Sequence, residues 1–323
     1  MEKNYALFKK YLPIIIVLSV VGLIFGVFAI AYSYNKALVS INFSDVIPVF
    51  WMGFLGLSYI MCFVFTFQVK GMHIKRLKKN SSFSKFAALL AAGLVTALFL
   101  FNFFQFVQQK FQLPAFKIVR LIFSVPFIAY LIVGIIPKRF RRKQIKLPKW
   151  LLPISAVCAL TWCILSILAI YFWSGEGALP TTNFFRLTHM FYLVVTTLFL
   201  LAEIGFEMFA KGHRFYILTA SCLFVTTVVL TGSTTAGMFL GKISTEMSIS
   251  AIEIFVGVAL GVYALSKLFA MQYTMKYVMK QEKNGNKRRH HHHHHRHHHH
   301  HSDDKATTVV KADTDSIPTD IDI

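Results

Sequence analysis

Acidic side chains are scarce in this chain: 14 Asp and Glu stand against 34 Lys and Arg over 323 residues, a formal net charge of +20. Charged residues of both signs make up only 15%, whereas 55% are hydrophobic, with 33 Phe among them. So apolar a balance excludes an ordinary soluble domain and suits repeated membrane crossing. In a soluble protein the basic excess would point to nucleic acid. Here it is spread over loops that alternate with apolar runs, so topology accounts for it and no nucleic-acid partner is expected. Cysteine is nearly lacking too. Cys62, Cys158, Cys163 and Cys222 all fall inside apolar runs and form no CxxC pair, which excludes a disulfide framework and a zinc knuckle. No HExxH, GxSxG, P-loop or dinucleotide fingerprint is present. Outside one C-terminal tract the histidines are His73, His189 and His213, too few for two transmembrane haem pairs. The chain is therefore expected not to be an enzyme and to require no cofactor.

What is there is a succession of apolar runs, each long enough to cross roughly 30 Å of hydrocarbon at about 1.5 Å per residue. Eight transmembrane spans are expected: Leu12–Tyr32, Val46–Phe67, Phe86–Val107, Ala115–Ile136, Leu151–Phe172, Phe185–Phe209, Phe215–Leu240 and Ser248–Tyr273. Ala29-Ile30-Ala31 imitates a signal-peptide cleavage site, but the run before it is longer than a usual h-region. Pro48 falls in a first turn, where its missing N–H costs little, and Pro126 falls mid-span, where a kink is expected. The stretch Pro137–Trp150 carries seven Lys or Arg residues. The positive-inside bias places that loop in the cytoplasm, and every other loop takes its side from it. On this assignment 27 Lys or Arg are cytoplasmic and five are outside, with both termini inside a cell-membrane protein. The fold expected is an all-α, multi-pass integral membrane helical bundle. It divides into a first four-helix half (1–136), a basic hinge loop (137–149), a second four-helix half (150–274) and a disordered tail (275–323).

The halves echo one another. Leu12-Pro13-Ile14 matches Leu152-Pro153-Ile154 at an offset of 140, and Asn42-Phe43 matches Asn183-Phe184 and Lys70-Gly71 matches Lys211-Gly212 at 141. Phenylalanine-rich helices align readily, but loop landmarks match as well, which points to a 4+4 repeat. With four spans per unit the copies would share one orientation about an axis along the membrane normal, and in transporters solute sites lie at such a seam.

Groups that lipid rejects mark candidate sites, because an ionisable side chain at depth costs several kcal/mol unless paired or hydrated. They form two layers. Toward the outer leaflet lie Asn102, Gln105, Arg120, His189 and Glu253, joined by Thr231, Ser233, Thr234 and Thr235; toward the inner lie Glu203, Glu207 and Lys267. Arg120 and Glu253 sit at comparable depth and are expected to pair. Lys267 is placed either against Glu203 or, by preference, snorkelling to the inner surface. Glu203, Glu207 and Lys211 follow at i, i+4 and i+8, the spacing of an ion-pair ladder. Gly22-x-x-x-Gly26, Gly237-x-x-x-Gly241 and Gly257-x-x-x-Gly261 allow close backbone approach, within the chain or between chains. The threonines of the seventh span are read as interhelical glue in preference to a wet lining.

The tail holds Lys287-Arg288-Arg289 and then His290, His291, His292, His293, His294, His295, His297, His298, His299, His300 and His301, with Arg296 between. These imidazoles offer ligand sets for zinc, nickel or copper. The basic lead-in offers contact with anionic lipid headgroups, stronger as histidines charge near pH 6. The function expected is a transporter or permease for a small solute or ion. The rival is a non-transporting scaffold or sensor whose tail binds metal, anionic lipid or a partner.

Overall fold

The computed structural model describes residues 2–35, 40–41, 43–70, 74, 77, 82–108, 115–135, 151–172, 184–209, 212–241 and 251–294. Among the described residues, every regular element apart from one two-residue antiparallel pair, Tyr34–Asn35 on Ser40–Ile41, is helical. The helices are α1 (Glu2–Ser33), α2 (Val46–Gln68), α3 (Ser82–Gln108), α4 (Ala115–Ile135) and α5 (Leu151–Phe172). They continue with α6 (Phe184–Phe209), α7 (His213–Phe239, through a π-helical segment at Thr227–Thr231) and α8 (Ala251–His294). Seven of them are long and apolar enough to cross a membrane; α4, with its apolar stretch at Ile118–Val133, is shorter. The chain is thus a membrane-embedded helical bundle. The backbone explains the choice of helix, since hydrocarbon offers no partner for an unpaired N–H or C=O.

Two helices are central. Of the apolar windows of α7 and α8, 72% of the residues are buried, against 28% to 50% for the other five crossing helices. Lipid-facing helices need only one packed stripe, whereas a helix hydrophobic and buried all round is core. Helix α7 packs against α1 and α2 on one side and α6 on another, while α3, α4, α5 and α6 follow one another in a row. Helices of the two halves therefore interleave at α7.

At both ends the helices outrun their apolar spans. Helix α1 contains the expected span Leu12–Tyr32 but begins at Glu2, and its first turns are packed. Phe8 and Tyr11 are buried, with Phe8 edge-on to Phe65 at 4.8 Å and Tyr11 stacked on the same ring at 5.7 Å. Asn4 is buried as well; its Nδ2 donates to the Lys70 carbonyl (3.0 Å) and its Oδ1 accepts from the Lys70 N–H (3.1 Å). Tyr11 donates to Gln68 Oε1 (2.9 Å). At the other end, α8 runs on to His294 instead of stopping near Lys276. Lys, Met, Gln and Glu prolong the helix cheaply as far as Lys283, and beyond it Asn284-Gly285-Asn286 costs helix propensity without the hard stop of a Pro. The basic hinge, the residues beyond His294 and the side chains of the histidine tract lie outside the described residues.

Two residues that follow α2, Val69 and Ile74, are tied to the start of α7. Arg214 Nε donates to the Val69 carbonyl (2.8 Å), and His213 Nε2 lies 3.0 Å from the Ile74 carbonyl. A carbonyl only accepts, so that ring nitrogen carries the proton. His213 thus holds the Ile74 carbonyl, with Phe206 edge-on to its ring at 5.1 Å.

Candidate functional site: two buried ion pairs and a clamped π segment

Helix α8 carries one member of each buried ion pair. Glu253 Oε1 accepts from Arg120 Nη2 of α4 at 2.6 Å, and the two side chains are 14% and 12% exposed. Four turns on, Lys267 Nζ lies 2.5 Å from Glu203 Oε1 of α6, with 7% and 1% exposure. Fourteen residues advance an α-helix by about 21 Å and return it to within about 40° of its starting azimuth, so both pairs occupy one face of α8. Lys267 does not snorkel. Its amine is held by Glu203 and lies 4.8 Å from the centroid of the Tyr263 ring. An unpaired carboxylate at that depth would cost far more than an extended lysine gains at the surface.

Tyr263 was not anticipated. One turn before Lys267, it donates from its hydroxyl to Glu203 Oε1 (3.0 Å). The i, i+4 relation to Lys267 was the available signal. Tyr263 begins a chain of aromatic contacts: Phe199 is edge-on to Tyr263 (6.1 Å) and stacked on Tyr216 (5.9 Å), which stacks on Phe206 (4.9 Å). Phe199, Glu203 and Phe206 share a face of α6 by the 3.6 period. Glu203 Oε2 is buried with no hydrogen-bond donor among the described residues.

Between the pairs, the π segment of α7 is gripped from two sides by glycine faces. On α1, Gly22 faces Val229, and a Cβ at Gly26 would come within 2.0 Å of Ser233 Oγ and 2.5 Å of Trp51 Nε1. On α8, a Cβ at Gly257 would lie 2.9 Å from Thr231 Cγ2, and one at Gly261 2.4 Å from Thr227 Cβ. The widened turn frees backbone acceptors for outside donors, as π segments do. The Val229 carbonyl takes the Trp51 indole N–H (3.1 Å) and the Ser233 hydroxyl (2.6 Å). Thr226, Thr227, Thr234 and Thr235 likewise donate to carbonyls four residues back, at 2.6 to 2.9 Å. Thr226 also shares a hydrogen bond with the Tyr59 hydroxyl. These hydroxyls are thus spent chiefly on the backbone of α7 itself; between helices, Thr226 meets Tyr59 and Ser233 reaches the Leu23 carbonyl of α1 (3.5 Å). The third glycine pair behaves differently. Gly241 meets nothing within 4 Å and has φ +65°, which suits the end of α7 and not a packed face.

Of the remaining candidates, His189 lies within electrostatic reach of the Arg120–Glu253 pair. His189 is buried beside Tyr192, ring centroids 5.4 Å apart. Asn102 and Gln105 are half-buried on α3. Ser124 donates to the Arg120 carbonyl (3.0 Å) and accepts from Trp162 Nε1 (2.9 Å), linking α5 to the turn that carries Arg120. The side chains of Glu207 and Lys211, and hence the proposed ladder, lie outside the described residues. Among the described residues no three His, Cys, Asp or Glu side chains gather as metal ligands. Comparison of the chain with protein-family models, with curated proteins and with solved structures finds no match.

Proposed function

We propose that this membrane-embedded bundle is a transporter or permease for a small solute or ion, crossing the membrane eight times with both termini in the cytoplasm of a cell-membrane protein. In this reading α4 completes the eight, and residues 1–136 and 150–274 are parallel halves joined by the basic loop 137–149. One observation carries the reading. Ionisable groups from α4 and α6 converge on a single face of α8, beside a π segment in the neighbouring central helix. Charges at such depth are functional candidates by default, and π segments cluster where helices rearrange. Opening would exchange the partners of Glu253 and Lys267 for a solute or water. No catalytic step is assigned.

A second reading has its own support, namely that both pairs are closed and buried. A non-transporting scaffold or sensor needs the charges only to lock helices, while its histidine tract binds zinc, nickel or copper, or its basic lead-in an anionic lipid headgroup or a partner. Thiol labelling separates the two. In a variant without the four native cysteines, His189→Cys and Tyr263→Cys, each beside one ion pair, are exposed in sealed vesicles to a membrane-impermeant thiol reagent from either side. Labelling is expected from at least one side. No labelling from either side removes the transporter reading and leaves the scaffold.

A further inference from the structure

Away from the ion pairs, a groove of about 560 Å³ opens where the first turns of α1 and α3 meet the far part of α8. Its lining is Tyr5, Phe83, Phe269, Gln272, Tyr273 and Lys276. The groove has a direction. From Phe269 to Lys276 the lining climbs α8 by about 10 Å and passes from a bare ring, through an amide and a phenol, to an ammonium group. At its apolar end Phe83 and Phe269 meet edge to face at 6.0 Å, and each is more than a third exposed. At its polar end Lys276 is exposed. No acidic residue occurs anywhere in α3, nor in α8 between Lys267 and Lys280. Lys3, Lys9 and Lys10 of α1 add exposed positive charge at the same end of the bundle, against one exposed carboxylate, Glu2.

We propose that this groove binds one anionic phospholipid, with an acyl chain along Phe83 and Phe269 and the phosphate at Lys276. Its apolar-to-cationic gradient runs in the order of a lipid, tail to headgroup, and its aromatic and lysine rim is of the kind found at membrane boundaries. The volume falls in the range of small-molecule sites. A zwitterionic lipid would fill the apolar end equally well but bring a choline or amine cation against Lys276, so the site discriminates by headgroup charge.

The test uses the full-length protein in neutral detergent, with native mass spectrometry of retained phosphatidylglycerol and phosphatidylcholine of identical chains. Phosphatidylglycerol is expected to be retained preferentially. Lys276→Gln, an exposed position, should weaken its retention about five-fold and leave phosphatidylcholine unchanged, the effect of one lysine near a lipid phosphate. Phe83→Ala with Phe269→Ala should lower retention of both lipids, while Lys9→Gln, outside the lining, should change neither. Thermal melting of each variant verifies that it is folded. Equal retention of the two lipids overturns the proposal, as does an equal effect of Lys9→Gln and Lys276→Gln, which would mean diffuse surface charge. Displacement of the lipid by the same concentration of inorganic phosphate would mean a free-anion site and overturns it too.

Discussion

The clamp on the π segment makes one substitution, Gly→Ala, opposite in effect at neighbouring positions of similar sequence. At Gly26 the new methyl would sit 2.0 Å from Ser233 Oγ, 2.5 Å from Trp51 Nε1 and 2.8 Å from Ser233 Cβ. At Gly261 it would lie 2.4 to 2.6 Å from three atoms of Thr227. Neither neighbour can swing away. Ser233 and Thr227 are bonded to the carbonyls four residues back, and the Trp51 indole is bonded to Val229. Overpacking of a close-packed site costs about 1 to 3 kcal/mol, and contacts this short belong at or above the top of that range. By contrast Gly53 and Gly56 of α2 meet nothing within 4 Å, so alanine there adds only a better helix former. Gly22, with its nearest contact at 3.1 Å, falls between. Thermal unfolding of the purified protein in one detergent should rank the variants Gly26→Ala and Gly261→Ala lowest, Gly22→Ala intermediate, and Gly53→Ala and Gly56→Ala at or above the parent. If Gly26→Ala and Gly56→Ala melt together, the clamp is not what holds α7.

Other expectations concern the buried charges and the indole. Glu203→Gln or Lys267→Met alone should destabilise by about 3 kcal/mol or more, whereas the double variant should recover most of the loss, since the cost lies in stranding one charge; additive losses in a double-mutant cycle would count against the pairing. Arg120→Glu combined with Glu253→Arg should fold and melt better than either single change, and failure to do so would mean that the surroundings, not the partner, select each sign. Trp51→Phe keeps the ring but removes the donor to Val229, so a loss of about 1 kcal/mol in unfolding free energy is expected. Deleting 289–301 should abolish tight zinc, nickel or copper binding in calorimetric titration, and persistence of that binding would move the metal site elsewhere.

How much could be read from the chain depends on whether a feature answers to solvent or to neighbours. The crossing helices were legible because hydrocarbon demands long apolar runs with satisfied backbones, a constraint written residue by residue. Arg120 and Glu253 were legible as a pair because each is conspicuous in an apolar span and their depths agree. Lys267 was misplaced, since a lysine near a helix end has two solutions and only the packing of Tyr263 and Glu203 chooses between them. Hidden in the same way were the N-terminal turns of α1. Asn4 and Tyr11 look like a solvated lead-in until Lys70 and Gln68 are brought beside them. The π segment left the faintest trace, a threonine-rich stretch ending at Gly232, because the glycine faces it packs on belong to α1 and α8, far away in the chain.

A turn that holds more residues than an α turn is, in effect, an insertion already absorbed. Removing one residue within 227–231 would let α7 close as ordinary α-helix while both flanks keep their azimuth, whereas the same deletion elsewhere in α7 would rotate one flank by about 100° and carry Ser233 away from Gly26. The most tightly held part of the bundle is therefore also the one place in that helix where the chain can change length without losing its neighbours.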